Sequence, residues 1–181
     1  NYGFPFRMFG HPYTDDGTWR TPEPVGDYSH WWWMDILHYR KTGQFAQELL
    51  RQAHGAVQQA YATGYMTHVA GDICGHPFIN ALVGGPFRNH AYRHFVLECL
   101  ADTWLWNNQG HGDILGAELD KLIQLGDDDA ALVADLVVQA MKATYQDPML
   151  PRLLHGRYPS SNEFLEAYRL LQLYLKSSTA S

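Results

Sequence analysis

His68, Asp72, His76, His90, His94 and Glu98 lie within thirty-one residues of one another, in two sets of three whose members stand four residues apart. Each α-helical residue turns by about 100°, so positions i, i+4 and i+8 drift by only about 40° per step and share one stripe. Two such stripes facing each other would enclose imidazole nitrogen and carboxylate oxygen, a donor set that suits zinc and other divalent transition metals. The competing interpretation is a polar stripe satisfied by hydrogen bonds in a packed interior. One stripe alone would fit it. Two, linked by a short Gly-Pro loop, favour a metal, because burying six titratable groups without a counter-ion is costly.

The elements that must carry these stripes are helices. From Asn1 to about Gly26 the density of Pro and Gly and the absence of a helical period indicate irregular structure, extended at Thr21-Pro22-Glu23-Pro24. The aromatic, Gly/Pro-punctuated opening Asn1 to Gly10 reads as an ordered loop, so a further upstream segment is expected. Asp27 or Ser29 can cap a helix running through Trp31, Trp32, Trp33, Ile36 and Leu37 to about Lys41, broken at Thr42-Gly43. Gln44 to Ala62 continues as helix, with Phe45, Leu49, Leu50 and Ala53 on one face.

A third helix carries His68 and Asp72 and is expected to end or kink near His76-Pro77, since proline removes a donor and disfavours helix just before it. Gly84-Gly85-Pro86 is the turn into a helix from about Arg88 to Trp106, closed by the polar run Asn107 to Gly112. Asp127 to Asp129 cap a helix through Leu132, Leu136, Val137 and Met141. Ser160 to Glu163 open a last amphipathic helix with Phe164, Ala167, Leu171, Tyr174 and Leu175 at three-four spacing, and the tail from Ser177 should fray. No strand alternation, internal repeat or heptad run is present. The expected architecture is all-α: one globular helical bundle over residues 1–181, with a metal site between helices.

Composition agrees with one domain and limits its partners. A chain of 181 residues, 46% hydrophobic, can build a real core. Thirteen basic and nineteen acidic residues give 13 − 19 = −6, which argues against broad electrostatic binding to duplex nucleic acid but leaves a metal-bridged phosphate open. Two cysteines, Cys74 and Cys99, announce no disulfide framework. No stretch approaches the roughly 18 to 20 apolar residues of a membrane span, and the chain as given contains no signal-peptide pattern.

The run Thr67-His68-Val69-Ala70-Gly71-Asp72-Ile73-Cys74-Gly75-His76-Pro77, followed by His94-Phe95-Val96-Leu97-Glu98, resembles the zinc-dependent phospholipase C family. The likeness is specific over about Tyr61 to Asp102 and looser over Asp35 to Gly43. It implies an all-α fold shared with P1-type nucleases and two to three zinc ions between helices. Ligands implied by it are His68, Asp72, His76, His94 and Glu98, joined by an upstream histidine assigned first to His30 in Ser29-His30-Trp31 and second to His38. The family's Pro-Asp aspartate and its N-terminal ligands have no counterpart, which implies either that the chain is a fragment or that the third metal site is incomplete. Secretion is compatible with the resemblance.

The chemistry implied is phosphodiester hydrolysis, in which metal-activated water attacks phosphorus in line with the leaving group and metal takes up the developing charge. Asp72 is the candidate bridging carboxylate. Asp15, Asp16, Asp27 and Asp35 are unranked candidates for a water-orienting base, and Asp27 equally reads as a helix cap. His90 is either a ligand or a residue that supports one. The isolated His11, His54, His111 and His155 read as surface or turn residues. Cys74, two residues from Asp72, should point away from the stripe and pack in the core.

Tyr28, Trp31, Trp32, Trp33, Tyr61 and Tyr65 would suit a quaternary ammonium head group or, more simply, the core. Arg88 and Arg93 could hold phosphate oxygens or solvate their helix. The leading expectation is a hydrolase of a phospholipid head-group phosphodiester that meets a membrane surface transiently. The alternatives are a P1-type single-strand nuclease, which the fold alone would not distinguish, and a non-catalytic metal-stabilised domain of a larger protein.

Overall fold

A computed structural model describes residues 33–87, 90–146 and 158–179, and of residues 34, 35, 91, 178 and 179 the backbone alone. Among the described residues the secondary structure is all helical: α1 (Trp33–Tyr39), α2 (Thr42–Gln52), α3 (Gly55–Val83), α4 (Ala91–Asn108), a 3-10 turn (Ile114–Gly116), α5 (Leu119–Leu122), α6 (Asp127–Thr144) and α7 (Ser161–Thr179). The all-α expectation is met. The 3-10 turn and α5 fall in a stretch whose sequence carries no helical period.

The core forms where α1, α2, the first half of α3 and α6 meet, through Trp33, Ile36, Leu37, Phe45, Leu49, Tyr65, Leu136, Val137, Met141 and Tyr145. Aromatic edges lock it. Phe45 meets Tyr65 edge-on at 5.2 Å between ring centroids, and Trp33 meets Tyr145 at 5.9 Å. Leu50, expected on one face with Phe45, Leu49 and Ala53, is exposed, and so is Leu132 of α6. Each stands about 100° around its helix from a buried neighbour, Leu49 or Val133, which takes the inward position.

The corner between α1 and α2 is tight. Lys41 takes a left-handed φ of 51°, and Thr42 Oγ1 donates to the carbonyls of Leu37 (2.8 Å) and His38 (3.0 Å). Tyr145, fully buried, donates its hydroxyl to Arg40 O at 2.8 Å, and Lys41 Nζ reaches Thr144 O at 3.3 Å. The last turn of α1, which carries His38, is thereby fastened to the end of α6. The helix break lies between Arg40 and Thr42 rather than at Thr42-Gly43, because Thr42 caps α1 while it starts α2.

The expected helix from Gln44 to Ala62 is two helices. Ala53 and His54 are extended, and Gly55 enters α3 at φ 71°, a conformation that a right-handed helix interior does not admit. Of the two outcomes expected at His76-Pro77, an end or a kink, the end does not occur: α3 runs on through Pro77 to Val83. Proline removes one N–H, leaving the carbonyl of Ile73 without its helical partner, and Ile73 is 70% exposed, so water can take that place. Termination comes at Gly84, whose φ of 94° and N–H bond to Asn80 O end the helix.

At 29 residues α3 is about 44 Å long. Its second half pairs with α4. At the start of α7, Ser160 and Glu163 form the expected reciprocal cap, and the helix holds to Thr179 rather than fraying from Ser177. Cys74 is exposed rather than packed, as is Cys99, and both are free thiols. Among the described residues no helix is long and apolar enough to cross a membrane.

An interior proline costs a helix up to about 3 kcal/mol relative to alanine. Pro77→Ala is therefore expected to raise the unfolding free energy, read from urea denaturation of the purified chain. A decrease would show that the proline geometry is needed by the helix pair.

Candidate metal centre

Two three-residue groups of imidazole and carboxylate come together in this fold: His38, His68 and Asp72, and His76, His94 and Glu98, with the donor atoms of each group within 4.8 Å of one another. Both are built around α3. His68, Asp72 and His76 follow one another at four-residue intervals on its face, and they stay in register because the helix continues beyond Pro77. His94 and Glu98 come from α4 and His38 from the end of α1.

Aromatic contacts carry the core to the first group. Tyr65, packed on Phe45, lies 6.0 Å from the His68 ring, and His68 meets His38 edge-on at 6.0 Å. In the second group, His76 and His94 meet edge-on at 5.1 Å, and Phe87 backs His94 at 5.4 Å.

The carboxylates set the connectivity. Asp72 places Oδ2 3.1 Å from His68 Nε2 and Oδ1 3.8 Å from His76 Nε2, so it spans the two groups. Glu98 Oε1 faces two imidazoles at once, 3.2 Å from His76 Nε2 and 3.0 Å from His94 Nε2. Two donors each 2.0–2.2 Å from a tetrahedral ion stand about 3.3–3.6 Å apart, and the observed spacings bracket that value. Each carboxylate thus faces two imidazoles, and His94 is 1% exposed. The two groups are candidate sites for divalent ions.

Charge and exposure are consistent with that use. Burial raises the Asp72 pKa, but the hydrogen bond from His68 and the charges of His68, His76 and His38 outweigh it, so the carboxyl sits below its ordinary range. The Asp72 side chain is 28% exposed and that of Glu98 33%, leaving one side of the site open to solvent.

Five residues expected as ligands, His68, Asp72, His76, His94 and Glu98, are brought together. His30, the first choice for the upstream histidine, lies outside the described residues, and His38, the second choice, joins the first group. His90 belongs to neither group. It is buried ahead of α4, where its carbonyl accepts from His94 N at 2.9 Å. The base candidates Asp15, Asp16 and Asp27 lie outside the described residues, as do Tyr28, Trp31, Trp32, Arg88, His11 and His155; Asp35 falls in α1 with its side chain undescribed. His54 and His111 are exposed, as expected.

One residue that the sequence reading passed over is Asp102, the next four-residue step after Glu98 on α4. Burial first and the Glu98 charge second raise its pKa. Its signal was the stripe itself, which runs 90, 94, 98, 102.

The grouping predicts two separable ion sites. Titration with Co2+, followed by its visible absorption, is expected to give two equivalents for the wild type and one for His94→Ala or His68→Ala. Uptake should also fall on acidification, because imidazole ligates only when neutral. An unchanged stoichiometry in either variant would remove that residue from the ligand set. Comparison of the chain with protein-family models, with curated proteins and with solved structures finds no match.

Proposed function

We propose that this protein is a zinc-dependent phosphodiester hydrolase that cleaves a phospholipid head-group phosphodiester. The observation that carries the reading is Asp72, whose two carboxylate oxygens face two different histidine groups in a site partly open to solvent. Neighbouring two-ion sites are suited to in-line displacement at phosphorus: the ions neutralise phosphate charge, make water nucleophilic at neutral pH and take up the leaving-group charge. His38 and His68 would hold one ion and His76, His94 and Glu98 the other, with Asp72 shared between them.

The chain's own residues would do the positioning. Asp72, kept ionised by the surrounding imidazoles, would hold the groups at a fixed separation. The buried His94, backed by Phe87, would fix the second group against movement when substrate binds. Zinc is favoured over magnesium or calcium because nitrogen donors predominate, four histidines against two carboxylates. The phospholipid follows from the resemblance of the segment around His68, Asp72, His76, His94 and Glu98 to the zinc-dependent phospholipases C, and from a net charge of −6 that disfavours nucleic acid.

The zinc-loaded chain is expected to hydrolyse a chromogenic choline phosphodiester, to lose that activity on chelation and to regain it with zinc. Asp72→Asn should lower the rate by more than about a hundredfold, beyond the 10- to 100-fold cost of losing a group that merely supports a ligand. Activity that survives chelation would sink the proposal. Mononucleotide release from single-stranded DNA would mark a nuclease instead. Tight zinc with a melting temperature lowered by chelation, but no turnover of either substrate, would mark a metal-stabilised domain without catalysis.

A further inference from the structure

The stripe of α3 that bears His68, Asp72 and His76 does not stop at His68. One and two turns earlier it carries Tyr65 and Tyr61, and these, with Gly64, form one wall of a cavity of about 450 Å³. That is within the range of small-molecule pockets, roughly 300–1,000 Å³. The opposite wall is α7, through Phe164, Leu165 and Leu171, and the rim is the segment around Leu125 after α5. Among the described residues α6 also lines the hollow, through Ala130 and Val133, and the Tyr65 wall lies beside the first ligand group, the Tyr65 and His68 rings being 6.0 Å apart.

The walls are apolar in substance as well as in name. Among the described residues no Asp, Glu, Lys, Arg or His lines the cavity. Its most prominent polar group, the Tyr168 hydroxyl, is spent on the protein: it donates to Ile123 O at 2.7 Å and accepts from Leu125 N at 2.7 Å and Gln172 Nε2 at 2.9 Å. Burial raises the pKa of the Tyr61 and Tyr65 phenols, which keeps both rings neutral. Water filling such a volume, on the order of fifteen molecules at about 30 Å³ each, would find few partners.

Gly64 is the second observation. Glycine within a helix costs about 1 kcal/mol relative to alanine. No close packing demands it, since a Cβ at this position would meet no atom within 4 Å. A bulky side chain there, between Tyr61 and Tyr65 on the cavity wall, would narrow the hollow, whereas a methyl group has room.

We infer that this cavity receives the aliphatic chain of the molecule whose phosphorus oxyanion the two ligand groups hold. The inference rests on the phosphodiester reading for its head group, while the chain site stands on the cavity alone. A chain entering between α3 and α7 would lie beside Tyr65 with its polar end at His68, so the rings of Tyr61 and Tyr65 separate the apolar from the ionic half of one ligand.

The test is calorimetric titration of the zinc-loaded chain with n-alkylphosphonates of one to eight carbons, below their micellar concentrations; their C–P bond is not cut by hydrolysis. Affinity is expected to rise about three- to four-fold for each methylene buried, from about 0.8 kcal/mol per group. Gly64→Phe, and independently Leu165→Trp, should flatten this series without lowering zinc content, whereas Gly64→Ala should leave it steep. A flat series in the wild type, or a steep one in both filled variants, overturns the inference and leaves the metal reading standing. A steep series that persists unchanged after chelation, and is flattened by Gly64→Phe, supports the chain site while removing the phosphate reading.

Discussion

The continuity of α3 is the constraint from which the site follows. Its first half is anchored by Tyr65 in the core, and its second half projects beyond the core to pair with α4. One rigid element therefore transmits the placement set by Phe45, Met141 and Tyr145 to Asp72 and His76. Had the helix ended at Pro77's predecessor, His76 would have left the register that brings its Nε2 to 3.2 Å from Glu98. The solvent exposure of Ile73 is what allows the helix to tolerate the proline.

Two kinds of interaction then divide the work. Apolar burial fixes the frame, as in Ile36, Leu49 and Tyr145, none of which is exposed. Pairing between carboxylates and imidazoles fixes the second half of α3 against α4, where the packing is less apolar and Phe78, Tyr92, Leu100 and Trp104 remain exposed among the described residues. In that half His76 crosses to Glu98 at 3.2 Å and meets the His94 ring, so divalent ions bound there would also clasp the two helices. The site and the stability of the helix pair are aspects of one set of contacts.

What the sequence made legible is what depends on periodicity. The His68, Asp72 and His76 stripe, the pairing of His94 with Glu98, the all-helical class, the Gly84 terminator and the Ser160–Glu163 cap follow local rules, and each is met; His90, the first member of the second stripe, lies ahead of α4 instead. The role of His38 was less legible, because it reaches His68 only through the corner at Lys41 and the tie to Tyr145, contacts between residues a hundred or so positions apart. Leu50 was misplaced for a related reason: it lies beside Leu49, and only tertiary packing decides which of the two turns inward. The hollow beside Tyr61 draws on α3, the segment after α5 and α7, and no local pattern announces such a meeting.

The tie between α1 and Tyr145 also bears on the order of events during synthesis. All six members of the two ligand groups have been synthesised once Glu98 is made, yet the residue that fastens His38's helix comes 105 positions after Arg40. The α3–α4 half of the centre can close on a nascent chain from local contacts. The His38 half must wait for α6. Ion loading would accordingly be sequential, beginning at His76, His94 and Glu98, and a chain stalled before Tyr145 would hold a half-assembled centre.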